Sequence, residues 1–544
     1  MAFAVVNRNQ GDLIGFSLND FVSADARCRF IVEMVKNLDL SALYESYSEL
    51  GTKGKDPAVL LATWFFAYTE HITSTRRLEQ ACARDLHFLY VSGNLHPDHS
   101  TLSRFRQKNL DLLPKYFLQL THLGMENGFG DFKDVATDGS KMQAACSRKK
   151  SKNSDELQAM LRRTRQKIDD YMKECDRLEA ADVQEGDDLN SIRAKLKELR
   201  EQEQLLLERQ QQLNERLQQL RPEDRENHSI NLTEPDAPMM KRVNGDKSLP
   251  AYNAQITVDT QTMLIGAEEV VQDRNDSDQL KLQLEALNQN VGEDPERKAT
   301  ADSGYHSLEQ LEYVEEHHVD AVIADPTPED RSVKPQPTSA EQLLKANKKM
   351  TRSDFAYHAE EDYYECPMGE KLEPLKKIKK GKRNYQVYTK TSCQGCVLAH
   401  LCLAKNNKAG LRSINREARE PLAEKMYHRL QTDEAKARLK RRAQTVEPVF
   451  GTMKENLGFR RFRLRGLKKV RGEFALMCIA YNLARLYVLM GGVRPDRKKS
   501  RSVGDDDALF FVRILILLSC ARWAALAVAR RPATRAARAS RPKG

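Results

Sequence analysis

Aromatic side chains make up only 7% of the 544 residues, with two tryptophans. That is too few for a channel in which successive unpaired bases stack. Cysteine is also sparse: ten in so long a chain cannot form a disulfide framework, so a reducing cytoplasm is expected. The first residues, MAFAVVNRNQGDLIGF, lack a basic stretch followed by an apolar run, which argues against a secretory signal. One stretch, 508–529, suggests a membrane span, but it carries Arg513 and Arg522, each costly at bilayer depth. No membrane partner is expected. The Arg/Ala/Pro-rich end after it is unlike anything upstream, so 495–544 is set apart as an atypical tail.

The most telling absence is local. From Lys436 to Arg471, thirteen Lys or Arg accompany only two acids, Glu447 and Glu455. Such a surface attracts phosphate and should release its grip steeply with salt. The net charge of +10 and pI near 8.9 point the same way, to an acidic polymer. Yet Glu447 sits inside the basic run, in TVEPVFGTMK. A carboxylate there repels phosphate unless it holds a metal ion that the phosphate also needs. The plain alternative is an ordinary helix with Glu447 near its N-terminus, favoured by the helix dipole.

Along the chain, 20–125 has the pattern of a helical domain that binds DNA. Its elements are PAVLLATWFFAYTEH, a second helix starting at Ser74, and a short basic helix capped by Ser100 or Thr101 that carries Arg104, Arg106 and Lys108. The last pair is either a helix-turn-helix or part of a plain bundle. At 131–145 the run Val135–Thr137 is strand-like and ends on Asp138, where Gly139-Ser140 predicts a turn. Residues 150–222 carry two heptad stripes, one through Leu157, Leu161 and Ile168, the other through Leu196, Leu206 and Leu213. These predict a helical hairpin or a dimerising coiled coil, inserted into a domain. Strand and helix patterns alternate at 251–325, with a short strand ending on Asp302, which predicts a mixed or parallel sheet. Residues 326–410 are Cys-rich, and 411–494 hold the helix with Glu447. Cys366, Cys393, Cys396 and Cys402 suit a structural Zn²⁺, with His400 as a spare ligand; free structural thiols are the alternative.

Asp138 and Asp302 at strand ends and Glu447 on a late helix are oxygen donors of the kind that hold Mg²⁺ or Mn²⁺. The words around them carry a resemblance. TDGSK at Thr137–Lys141, NLTEPDAPMM at Asn231–Met240, AYNAQITVD at Ala251–Asp259, TADSGYHS at Thr300–Ser307 and VEPVFGTMKENLGFRRFRLRG from Val446 resemble bacterial insertion-sequence transposases of the DDE class. The stretch from Asp56 to Arg106 is similar to their helical domain. The resemblance implies an α/β fold with an RNase H-like catalytic core and mixed sheet, split as 131–325 and 411–494, plus the all-α N-terminal domain and the helical-hairpin insertion. It implies Asp138, Asp302 and Glu447 as a metal-binding triad for two ions, cleavage at element ends and strand transfer into double-stranded target DNA. A homodimer or higher oligomer associated with the nucleoid is expected. Lys454 matches a basic residue that the family places beyond its glutamate, and Arg441, Arg442, Arg460, Arg461, Arg463 and Arg465 are further candidate DNA contacts. The family's arginine four positions before the glutamate is Ala443 here, and its tyrosine three earlier is Lys440. Arg441 and Arg442 stand in their place. A nuclease of the same core that does not join ends, and a non-enzymatic DNA-binding regulator, are the alternatives.

Overall fold

The computed structural model describes residues 17–491 apart from 46, 48–53, 181–186, 221–224, 226–227, 243–244, 328–335, 381–382, 391, 405–406 and 408–409. The tail at 495–544, with its apolar stretch at 508–529, lies outside the described residues.

Strand β1 (Asp134–Gln143) is the centre of a mixed sheet. On one side it pairs antiparallel with β3 (Gly245–Asp259), from Val135 opposite Asp259 to Gln143 opposite Ala251. On the other it pairs parallel with β5 (Lys298–Ala301), which in turn pairs parallel with β6 (Asp320–Ile323). β4 (Ile265–Val271) lies antiparallel on the far side of β3, and β2 (Met239–Arg242) folds back on the start of β3. The main order is β4-β3-β1-β5-β6. The predicted turn at Gly139-Ser140 is absent, because β1 runs straight through both residues. Glycine is there for a close approach: a Cβ on Gly139 would lie 2.2 Å from Gln255 Nε2 and 2.6 Å from Asp276 Oδ1.

Besides two short helical turns (Leu18–Phe21 and Ser41–Glu45), the helices described before the sheet are α1 (Arg27–Lys36), α2 (Pro57–Thr69), α3 (Thr75–Arg84), α4 (Leu86–Ser92), α5 (His99–Lys108) and α6 (Leu113–Glu126). The single helix expected from Ser74 is two, because extended Asp85 ends α3 and accepts from His87 and Phe88 N–H to cap α4. Asp98, rather than Ser100 or Thr101, caps α5 by accepting from Thr101 N–H at 2.9 Å. These helices share one continuous apolar core with the sheet, through residues such as Trp64, Phe65, Leu102, Val135, Ile256 and Phe474.

Helices α7 (Ser154–Ala180) and α8 (Asp187–Gln218) form the predicted hairpin within one chain. Arg165 pairs with Glu203 and Arg193 with Glu179, the crossed spacing of an antiparallel pair, over a seam of Leu157, Leu161, Leu206 and Leu213. Between β4 and β5 lies α9 (Gln279–Val291), and between β5 and β6 lies α10 (Leu308–Glu316). Then comes a separate antiparallel sheet that the sequence did not announce. Its strands are β7 (Ala356–His358), β8 (Tyr363–Glu365), β9 (Lys371–Lys380), β10 (Arg383–Thr389) and β11 (Ser413–Glu417), over a core of Phe355, Tyr364, Leu372 and Tyr388. Since β11 belongs to it, this unit extends to Glu417, past the boundary expected at 410.

The chain returns to the main sheet through α11 (Glu420–Leu430), α12 (Asp433–Gly451) and α13 (Leu467–Leu489). Among the described residues α13 alone is long and apolar enough to cross a bilayer, but 78% of its most apolar window is buried in the protein. It is the central core helix. Its Asn482 side chain accepts from Ile265 N–H and donates to Ile265 C=O, both at 2.9 Å, satisfying the backbone of edge strand β4.

Candidate active site

Register brings the first two acids together. Ala136 pairs with Thr300 in the parallel β1–β5 ladder, so two residues on, Asp138 and Asp302 stand side by side where β5 ends. Asp302 turns the chain by accepting from Gly304 N–H at 2.9 Å. The third acid comes from α12, whose Val446, Val449 and Phe450 are buried and which packs across β1, β5 and β6. Thr432 caps this helix, so Glu447 lies near its C-terminal end rather than its N-terminus. The dipole explanation for that acid therefore fails: a carboxylate there is disfavoured by the helix and must be held by something else.

What holds it is Arg442, one and a half turns earlier. Its guanidinium lies 2.8 Å from Asp138, 3.5 Å from Glu447 and 3.7 Å from Asp302, and its Nε donates to Thr137 C=O at 3.4 Å. The Arg442 side chain is 8% exposed, against 42% for Asp302 and 57% for Glu447. Burial pushes the Asp138 carboxyl up to about 6; Arg442 opposes the shift, while Asp302 and Glu447 add to it. Three carboxylates around one guanidinium leave two negative charges in excess (three minus one). That surplus on hard oxygen donors fits a divalent cation of the Mg²⁺ type. Among the described residues no three His, Cys, Asp or Glu side chains are closed into a metal cage as they stand. Here the reason is visible, because the guanidinium occupies the point on which the acids converge.

Behind these groups is a support that the sequence reading missed. Asp276 accepts from Asn253 Nδ2 and Gln255 Nε2, each at 2.6 Å, and buried Tyr305 donates its hydroxyl to Gln255. Tyr305 thus packs the turn after Asp302. Its hydroxyl is held well above its ordinary pKa by burial, then by Asp276, Asp138 and Asp302. The only signal for Asp276 was the acid-rich NDSD before a helix, which is also what a cap looks like. His306, which follows Tyr305, has its ring 3.6 Å from Asp325.

The candidate DNA contacts divide. After α12 the chain makes a π-helical turn (Thr452–Asn456) that places Lys454 against Ser140 Oγ, on the same face of β1 as Asp138. Arg460, Arg461, Arg463 and Arg465 are exposed, while Phe459 before them and Phe462 among them are buried. Arg441 is 57% exposed and pairs with Asp134. Arg104 is exposed, but Arg106 is not. Arg106 donates to Tyr68 hydroxyl and Thr73 C=O and stacks 4.5 Å over Trp64. Arg106 is a core residue of the helical layer, and Arg442 is buried among the acids; neither presents its guanidinium as an open phosphate contact.

The four cysteines Cys366, Cys393, Cys396 and Cys402 line one cavity of about 220 Å³ and are unoxidised. Two tight turns approach it. Gly369 N–H donates to Cys366 C=O and Cys396 N–H to Cys393 C=O, with Gly369 and Gly395 both at φ +75°. Burial raises the Cys402 thiol; Arg412 opposes this, and the other three sulfurs add to it.

A family model described as a transposase DDE domain matches residues 365–487, which contain the four cysteines, Arg442, Glu447, Lys454 and the exposed arginines. A second, described as a transposase domain (DUF772), matches residues 16–108, the N-terminal helices. No curated protein and no solved structure matches. With both transposase models met in order along one chain, the protein is an insertion-sequence transposase of the DDE class, an enzyme that cuts DNA and transfers strands with divalent metal ions.

Proposed function

We propose that Asp138, Asp302 and Glu447 are the metal-holding acids of this transposase, carried on an RNase H-like core. The sheet supports the fold reading, with one antiparallel hairpin pair (β3, β4) beside three parallel strands (β1, β5, β6) and an acid on the central strand. The observation that carries the site is the meeting of three acids, drawn from two strand ends and a helix, at the Arg442 guanidinium. Two Mg²⁺ or Mn²⁺ ions bound there would activate the attacking oxygen and stabilise the leaving oxygen of a phosphodiester. Asp138, the most buried of the three, fixes the position of the centre, while the more exposed Asp302 and Glu447 face incoming DNA. Lys454 holds an ammonium beside that face, and Arg441, Arg460, Arg461, Arg463, Arg465 and Arg104 supply phosphate contacts for a duplex. The four cysteines lining one cavity would hold a structural Zn²⁺, tying the turns of the small sheet together rather than serving the chemistry. Two element ends need two sets of acids, so copies act together, on DNA in the cytoplasm.

The test replaces each acid by its amide. Asp138→Asn, Asp302→Asn and Glu447→Gln should each abolish Mg²⁺-dependent cleavage and strand transfer, and weaken Mn²⁺ binding read by paramagnetic resonance. Duplex affinity should stay within about threefold of the parent. Full cleavage in any one of them removes that residue from the site. Metal analysis of the purified protein, with Cys393→Ser as comparison, reports on zinc separately.

A further inference from the structure

The exposed arginines sit on a segment, 459–466, with no helix or extended strand of its own. It is held through its backbone. Phe462 N–H donates to Gln143 C=O at 2.9 Å, at the end of β1. The next two N–H groups, of Arg463 and Leu464, both donate to the Glu473 carboxylate of α13, at 2.9 and 2.8 Å. Gly466 N–H then donates to Glu234 at 2.6 Å and Leu467 N–H to Asp236 at 3.1 Å. Glu473 is 0% exposed and Glu234 1% exposed. Neither belongs to the metal-holding set. Both lie beneath a surface rich in exposed arginine, where a carboxylate is costly unless backbone donors satisfy it.

We propose that Glu473 and Glu234 are positioning residues for DNA, clamping the backbone at 463–466 so that Arg461, Arg463 and Arg465 meet the phosphates of a duplex from a rigid ridge. This rests on the reading of that ridge as a DNA contact. Phe459 and Phe462 are buried while Arg461, Arg463 and Arg465 are exposed, and the clamp spares the ordering cost that a loose loop would meet on binding. Glu234 lies in the NLTEPDAP segment, more than two hundred residues before the ridge, and it also accepts from the Tyr252 hydroxyl of β3. The clamp therefore fixes the ridge relative to β3, the strand that pairs with the Asp138-bearing β1.

The proposal makes a prediction opposite in sign to simple charge. Neutralising an acid under a basic surface makes the surface more positive, which by itself tightens DNA binding. Glu473→Gln and Glu234→Gln, in the full chain, should instead bind a labelled duplex about tenfold more weakly, with a shallower dependence of log affinity on log salt. Trypsin should also cut faster after Arg463 and Arg465. Should Glu473→Gln fail to fold, as judged by circular dichroism, Glu234→Gln carries the test from the other anchor. Parental or tighter binding, or weaker binding with the ridge as trypsin-resistant as before, overturns the clamp. The double variant Arg461→Ala/Arg463→Ala separates the two readings: if its affinity and salt slope equal the parent's, it is the DNA role of the ridge that is wrong.

Discussion

Arg442 of α12 donates to Asp138 of β1 at 2.8 Å, joining that helix to the central strand through a single guanidinium that Asp302 and Glu447 also approach. Replacing it by glutamine leaves three acids facing one another. Breaking a buried pair costs about 3–5 kcal/mol, and the loss here should be smaller because Asp302 and Glu447 stay solvated. Thermal melts in a chelator should show Arg442→Gln less stable than the parent, and added Mg²⁺ should raise its melting temperature by more than it raises the parent's. Identical melts in chelator would falsify the ion-pair account.

Gly139 is the second test. An alanine there must displace Gln255 Nε2 and Asp276 Oδ1, both held in the hydrogen-bonded support behind the acids. Overpacking of this kind costs about 1–3 kcal/mol. Gly139→Ala should lower the melting temperature and slow Mg²⁺-dependent cleavage while leaving duplex affinity unchanged. Parental cleavage would mean that the support tolerates the methyl group.

Much of this was written in the sequence, and the exceptions have physical causes. The three acids were legible from the words around them and from an acid in a basic run. Their meeting was not: Asp138 and Asp302 are 164 positions apart (302 − 138), and only the parallel register aligns them. Gly139 was misread because glycine marks turns and close approaches alike. The plain alternative for Glu447, a place near a helix start, arose because the basic first half of α12, after its Thr432 cap, has few apolar residues to announce a helix. The small sheet was hidden for a similar reason. Its longest strand reads KLEPLKKIKK, in which lysine and a proline mask any alternation. The heptads of α7 and α8, by contrast, were clear, because a buried leucine seam is all such a hairpin needs.

Arg104 and Arg106 were read together as DNA contacts on one short basic helix, but residues two apart on a helix point apart. The structure gives them different work, and a pair of substitutions should separate them. Arg104→Ala should leave the melting temperature unchanged and weaken duplex binding, reducing the salt slope by about one. Arg106→Ala removes the guanidinium stacked on Trp64 and bonded to Tyr68 and Thr73, so it should cost roughly 2–3 kcal/mol of stability. Its salt slope should match the parent's. If the stability loss falls on Arg104→Ala instead, the placement of these two side chains is reversed.

Glu268 of β4 gives a pH-dependent test away from the acids. Burial, and then neighbouring Glu269, push its carboxyl up to about 8 from 4.5, against the opposing pull of Arg471. A group that holds its proton more tightly when folded contributes stability that is complete below the unfolded pKa and disappears as pH rises through the folded one. The window is therefore pH 4.5 to about 8, and stability from this group falls across it. Glu268→Gln resembles the protonated form at every pH. Its melting temperature should equal the parent's near the acid end of the window and exceed it at the alkaline end. For a chain of this size each kcal/mol recovered is worth roughly 2 °C or less. Melting curves of the two proteins that run parallel from one end of the window to the other would show that Glu268 is ionised throughout, in water rather than in the core.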